Sequence, residues 1–310
     1  MKRIFSLIII VFASLSSLIA GGTYDFLRND VSARAAALGG NFVTIKDDPN
    51  SIFYNPAGLA SIQSQQVSFG FFKNLLDVNA GHASYARRIP SFGTIGAGLV
   101  YVNYGSFDMT DENGQSLGTF NAGDFAFTAG YANLLANGLE YGINAKFIFS
   151  SIAGYSSSAA AIDLGARYVI TPDVFTIGAS ILNIGTQFDP YMTTRETLPL
   201  DVRIGASYFP EHLPAQVFIG LNKLNEQQDK FLDRFSSFMA GVEFTASESV
   251  LLRFGYNNEK RRELKLGSSS GLAGFSLGAG FRTEMYTIDY AFNSMGKIGG
   301  LHRVSIGLSF

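Results

Sequence analysis

His82, His212 and His302 are the only imidazoles in the chain, and imidazole is the side chain best suited to moving a proton or holding a metal near neutral pH. Their spacing forms no HxxxH or HExxH pair, so no local zinc motif is present. The chain has no cysteine, which removes disulfides, thiolate metal sites, a thiol nucleophile and lipid attachment at an N-terminal cysteine. His82 and His302 fall near predicted strand starts, where one could meet a loop serine and aspartate, but no motif sets such a triad. The expectation is no catalytic residue, no metal ligand and no cofactor.

Charge chemistry is more specific. Lys146 and Asp163 should come within one register step of each other across a hairpin, and Glu243 should stand opposite Arg253 across another. Both pairs require strands, and the sequence supplies them. From Leu139 to Phe149, residues Leu139, Tyr141, Ile143, Ala145, Phe147 and Phe149 fall on one side, while Glu140, Gly142, Asn144 and Lys146 fall on the other. A strand puts successive side chains on opposite faces, so this is one apolar face backed by a small or polar one.

The pattern recurs in about fourteen segments between residues 63 and 310, each close to the roughly 9–11 residues of a tilted membrane strand. Short connections such as Pro90-Ser91-Phe92 and Thr171-Pro172-Asp173 alternate with longer polar ones: Asn74 to Ala80, Asp108 to Ala122, Ile152 to Ser158, Gly185 to Pro199, Asn225 to Phe235, Asn257 to Ser270 and Ser294 to Gly300. That asymmetry predicts an all-β, transmembrane antiparallel barrel. Apolar sets such as Ile162, Leu164, Ala166, Tyr168 and Ile170 should face lipid, with Tyr101, Tyr131, Tyr208 and Tyr286 as interface anchors. The inward set, mostly Gly, Ser and charged residues including Arg167, Arg203, Arg282, Asp289 and Arg303, predicts a polar lumen.

Composition agrees. Only 15% of residues are charged, against about 25% in a typical soluble protein. A soluble β-sandwich with its aromatic face inside would have a Gly- and Ser-rich outer face, poor at keeping strands apart in water. The net charge of -2 provides no basic footprint and argues against nucleic acid as a partner.

Residues 1–20 read as a secretory signal: Lys2 and Arg3 precede the apolar run Ile4 to Phe12 and a small-residue stretch ending at Ala20. Residues 21–62 lack the two-residue alternation and contain the turn cluster Asp47-Asp48-Pro49-Asn50 and the break Asn55-Pro56-Ala57-Gly58. Phe42, Val43, Ile45, Ile52, Phe53 and Leu59 are too apolar for a disordered leader, so this segment is expected to be a plug inside the barrel. Residues 63–310 form the barrel.

Several stretches also carry a resemblance. SARAAALGG (Ser32–Gly40) and IKDDPNSIFYNPAGL (Ile45–Leu59), with the Asn55-Pro56-Ala57 turn, resemble the N-terminal plug of FadL-type outer-membrane proteins. SYAR (Ser84–Arg87), VYVNYGSF (Val100–Phe107), GTFNAGDFA (Gly118–Ala126), IDLGARY (Ile162–Tyr168) and NIGTQ (Asn183–Gln187) are similar to the PorV/PorQ family, and within it to the PorQ branch, a component of the type IX secretion system. The motifs run from Ser32 to Gln187; beyond them only barrel periodicity is shared. Phe310, with alternating apolar residues before it, looks like the C-terminal signal read during barrel insertion.

The resemblance implies a FadL-like barrel in the bacterial outer membrane. It also implies a non-catalytic role in a surface attachment complex, anchoring sortase-like, PorV-like and PorZ-like partners. The alternative is a FadL-type channel for uptake of hydrophobic compounds. Docking would use the loops Asp108 to Ala122, Gly185 to Pro199 or Asn225 to Phe235, whereas a channel would need an apolar pocket near Phe42, Ile52 and Phe53.

Overall fold

The computed structural model describes residues 22–73, 78–136, 138–226, 231–265 and 271–310. The expected signal segment, and parts of the loops beginning at Asn74, Asn225 and Asn257, lie outside the described residues.

Fourteen antiparallel strands close into one barrel. They are β1 (Gln66–Lys73), β2 (Asn79–Ile89), β3 (Gly93–Thr110), β4 (Ser116–Ala136), β5 (Leu139–Ile152), β6 (Tyr155–Thr171), β7 (Phe175–Asp189), β8 (Asp201–Tyr208), β9 (Ala215–Leu221), β10 (Phe238–Thr245), β11 (Val250–Asn257), β12 (Phe275–Arg282), β13 (Tyr286–Ser294) and β14 (Gly300–Ser309). Neighbours in sequence are neighbours in space, and β1 pairs with β14 from Gln66↔Ser309 to Lys73↔His302. Closure leaves no sheet edge within the wall, which lets a β structure cross hydrocarbon.

The faces follow the sequence alternation. On β5 the even residues from Glu140 to Ser150 are buried and the odd ones mostly exposed, and Phe147 and Ile143 stand 45% and 44% exposed. Phe69, Ile162, Leu164, Ile204, Ile219, Phe254, Ile288 and Ile306 continue this apolar belt around the barrel. An apolar side chain left exposed around a whole circumference is costly in water and stable in lipid. Tyr131 meets both Phe92 and Tyr141 edge-on at the short-turn end of the belt, and its hydroxyl donates to the Phe92 carbonyl at 2.6 Å. No described helix is long and apolar enough to cross a membrane.

Two expected long loops are corrected. Asp108 to Ala122 is a continuation of β3 and β4, paired from Gly105↔Ala122 to Thr110↔Ser116, with a turn only at its tip. Ile152 to Ser158 is likewise strand, reversed at Ala153 (φ 51°) and Gly154 (φ 84°). Two consecutive positive φ values make the tight turn whose twist matches flanking strands. Both hairpins rise beyond the belt as ribbons.

Residues 22–62 lie inside the barrel. Of their four helical pieces, the 3-10 turn Asp25–Arg28 has no side-chain cap, and the other three share one local logic: a side chain that satisfies free backbone N–H groups at the start. Ser32 caps the helix Ala33–Ala37, Asp48 caps the 3-10 turn Pro49–Phe53, and Asn55 caps the 3-10 helix Pro56–Ser61. Pro49 and Pro56 fit at the first position because no N–H is needed there. The Ala helix stops at Gly39 (φ 71°) and Gly40 (φ 94°), a left-handed conformation that glycine adopts without strain.

Candidate functional site

The plug and the lumen around it form the candidate site. The wall receives the plug through a girdle of inward-facing glycines, several directly opposite one another: Gly96↔Gly130, Gly142↔Gly165, Gly178↔Gly205, Gly205↔Gly220 and Gly241↔Gly255. A Cβ on Gly142 would stand 2.3 Å from the Pro56 carbonyl carbon, one on Gly165 2.1 Å from Asn55 Oδ1, and one on Gly255 2.3 Å from the Gly39 nitrogen. Plug backbone therefore fills the space that side chains would occupy elsewhere.

Polar bonds fix this arrangement. Asn55 is fully buried; its Oδ1 accepts from Ala57 N–H at 3.1 Å, and its Nδ2 donates to the Val43 carbonyl at 2.7 Å and to the Ala166 carbonyl of β6 at 3.1 Å. The Asn55-Pro56-Ala57 turn thus ties two parts of the plug to the wall. Wall side chains satisfy other plug carbonyls: Asn144 donates to Ile52 at 2.8 Å, Ser180 to Tyr54 at 2.8 Å, Asn293 to Ala36 at 2.8 Å and Arg303 to Asp30 at 3.1 Å.

Below the girdle, toward the short turns, lies a buried chain of charges. Arg34 of the plug holds both oxygens of Glu243, at 2.9 and 2.7 Å, and Asp48 at 3.3 Å. Arg253 bonds Glu243 at 2.6 Å and Asp289 at 2.6 Å. Glu243 faces Arg253 in register, so the pair read from the sequence is part of a five-membered network. Arg34 completes it, and nothing in the spacing of SARAAALGG pointed to that partner.

The other pair is diagonal. Lys146 faces Ala161 and Asp163 faces Asn144, yet Lys146 Nζ reaches the Asp163 carboxylate at 3.0 Å with both side chains buried. Asn183 sits at a bulge with φ 63°; its N–H donates to Asp163 at 2.8 Å and its Oδ1 accepts from Lys146 at 2.8 Å.

Above the girdle, the expectation of a polar lumen is corrected in part for β1–β6, where an apolar cluster sits among buried polar groups such as Thr128 and the Lys146–Asp163 pair. Phe72, Ala80, Val100, Val102, Ala126, Ile148, Ala159 and Ala161 point inward and are buried against Tyr24 and Phe26 of the plug's first turn, with Leu27 partly buried beside them. The rim is polar: Asp124 accepts from the Tyr104 hydroxyl at 2.6 Å and from Ser150, and Gln187 donates to Ser157 at 2.7 Å. Next to Asp124, Asn103/Gly105 form a bulge in β3. The extra residue shifts the alternation by one, so Phe107 and Met109 fall on the lumen side of the ribbon, and Phe107 stacks on Phe120 at 5.4 Å. Ser106 and Asp108 fall on the opposite side. At this bulge the wall carries a depression of about 410 Å³, with Tyr101, Phe125 and Phe149 around Gly105, Ala122 and Gly123.

The histidines are not brought together. His82 points into the lumen, His212 lies exposed in the β8–β9 turn, and His302 lies on the outer face against Tyr290, whose hydroxyl is 2.7 Å from its Nδ1. Among the described residues no group of acidic or histidine side chains has metal-site geometry. Phe310 is exposed at the short-turn end, and its N–H donates to the Gln65 carbonyl at 2.9 Å.

No family model and no curated relative matches the chain. Solved structures do. The toluene transporter TbuX of Ralstonia pickettii superposes with a TM-score of 0.60 at 12% identity, over 90% of this chain and 97% of that one. The toluene transporter TodX of Pseudomonas putida gives 0.60 at 11% identity, over 91% and 98%. A FadL homologue of Pseudomonas aeruginosa gives 0.52 at 11% identity, over 90% and 98%. At such identities the likeness concerns architecture, and the architecture, a fourteen-stranded barrel closed around an N-terminal plug, is FadL-like.

Proposed function

We propose that the chain is an outer-membrane channel for hydrophobic compounds, exported by its N-terminal signal, with its long-loop end facing outward. The observation that carries this reading is the apolar cluster in the upper lumen of β1–β6, closed below by the plug, with Phe107, Met109 and Phe120 on the inner side of the β3–β4 ribbon beyond the rim. A pore for polar solutes would need a hydrated, polar passage, whereas this lining favours apolar compounds. The depression at the β3 bulge offers a thin stretch of wall beside the chamber. The solved neighbours named as toluene transporters support the same reading. The role is non-catalytic. Saturable binding of toluene or a long-chain fatty acid by the purified protein, abolished in Val100→Asp, is the expected result. No saturable binding, together with unchanged hydrocarbon uptake in cells lacking the protein, would sink it.

A second reading is favoured by the β3–β4 ribbon itself. Tyr104–Thr110 and Ser116–Phe120 pair only with each other among the described strand pairs, beyond the belt, with Leu117 62% exposed. Together with the PorV/PorQ-like motifs, this makes the ribbon a docking arm for surface attachment-complex proteins of the PorZ-like, PorV-like or sortase-like kind. Mild-detergent purification of the intact protein and of one lacking residues 106–120 tests it; partners retained equally by both would exclude the ribbon.

A further inference from the structure

His82 takes part in none of the hydrogen bonds or ion pairs that seat the plug. It points into the lumen from β2, between Gly70 of β1 and Val100 of β3, and is 5% exposed. Neither ring nitrogen has a hydrogen-bond partner among the described residues. The Val31 backbone lies close without closing a bond to the ring, and Phe53 meets the ring edge-on at 6.0 Å.

The imidazole is placed by its neighbours. A Cβ on Gly70 would lie 2.1 Å from His82 Cε1 and 2.7 Å from Nδ1, so the ring rests in space that only glycine leaves. It also marks a boundary. Toward the mouth the lining is Phe72, Ala80 and Val100; toward the short turns Ser68 and Ser84 are both committed to Asn50. Val31, Phe53 and Val100, which surround the imidazole, also line a lumenal void of about 20 Å³ that continues past Phe26 and Leu27 and is bounded on its far side by Thr128, Lys146 and Arg203. The void holds little more than a water, so a larger occupant must displace Phe26 or Leu27.

We propose that His82 is a specificity-determining residue that hydrogen-bonds a hydroxyl on the hydrophobic compound in this chamber. The inference rests on the channel reading above and names its ligand class: apolar bodies carrying one hydroxyl, such as phenols or alkyl alcohols. A neutral imidazole offers one donor and one acceptor. A hydroxyl can serve either nitrogen whichever tautomer is present; a bare hydrocarbon serves neither and leaves the buried group unpaired. A site that pairs a polar group disfavours the analogue lacking it.

The test uses p-cresol and p-xylene, which differ by a hydroxyl in place of a methyl, with the full-length protein in detergent. The expected result is that His82→Leu weakens p-cresol relative to p-xylene by about threefold to tenfold, the worth of one neutral hydrogen bond. His82→Gln, which keeps a donor and an acceptor, should recover part of that ratio. With labelled histidine in the wild type, p-cresol should move the resonances of the buried imidazole and p-xylene should not disturb its N–H. If both compounds bind but the affinity ratio and the imidazole resonances stay unchanged, the role of His82 is overturned and the channel stands. If neither compound binds, the channel reading falls and takes this inference with it. Should His82→Leu fail to fold, the wild-type resonances decide alone: an unmoved imidazole under saturating p-cresol overturns the proposal.

Discussion

The two halves of the wall are built differently. In β3–β7 the strands run 14 to 21 residues, and their lumen side above the girdle mixes Val100, Val102, Ala126, Ile148, Ala159 and Ala161 with Asp124, Thr128, Lys146, Ser150, Ser157 and Asp163. In β8–β14 they run 7 to 10 residues, and the lumen side carries Asp201, Arg203, Glu243, Arg253, Asn257, Asp289, Asn293 and Arg303. The Ala33–Ala37 helix packs on β11–β14, whereas Tyr24 and Phe26 lie against the first half. Both halves anchor the plug through amide and charged groups; the second adds the buried Arg34 network, and the first adds an apolar cluster over the plug's first turn.

Breaking the Arg34 network of the second half should have the largest effect. Glu243→Ala leaves two buried guanidinium groups without their shared carboxylate, and should cost about 3–5 kcal/mol of unfolding free energy, read by denaturant titration in micelles. A loss below about 1 kcal/mol would mean that water reaches the network and the halves differ less than their burial suggests.

The girdle, common to both halves, comes next. Gly165→Ala drives a methyl into Asn55 and should cost about 1–3 kcal/mol, whereas Gly307→Ala, whose Cβ would meet Thr287 at an ordinary 3.5 Å, should be nearly neutral in the same titration. Equal effects at the two sites would show that the plug does not press on the wall.

A smaller change sharpens the contrast. Ser157 donates to the Asp189 carbonyl at 2.8 Å, so the Tyr24 hydroxyl, 2.6 Å away, donates to Ser157. Tyr24→Phe should cost about 0.5–1.5 kcal/mol and raise amide exchange around residues 23–28, with residues 33–40 unaffected. Faster exchange in both stretches would make the plug one unit instead of two.

The smallest effect is expected at Lys46 and Asp173, an exposed pair between plug and turn. The hydrogen bond and charge of Lys46 hold the Asp173 carboxyl below its usual range. A depressed carboxyl contributes stability above its unfolded pKa, about 3.9, and loses it as pH falls through the lower folded value. The protection of amides near Lys46, taken relative to the intrinsic exchange rate at each pH, should thus be flat between pH 8 and 5 and fall only in strong acid, and Asp173→Asn should remove that dependence.

The strands and their closure were legible because aromatic and branched residues alternate with Gly, Ser and charges over most of the wall. Glu243–Arg253 and Lys146–Asp163 were legible because register follows from hairpin length. The chamber was not. Val100 and Val102 face inward while Leu99 and Tyr101 face outward, so both faces are apolar and the alternation carries no sign. The ribbon was hidden because Asp111 to Gln115 read as loop, and strands in water need no greasy side. The girdle could not be read at all: glycine has no side chain to declare a face, and its role depends on plug backbone brought alongside by closure.

The seam between β1 and β14 has a consequence for biogenesis. It joins Gln66 to Ser309, four-fifths of the sequence apart, so the ring cannot shut before synthesis has reached the last residues. By then residues 22–62, made first, are available as a mandrel around which the sheet curls, and a chain truncated before β14 would present an open edge with its mandrel already exposed to solvent.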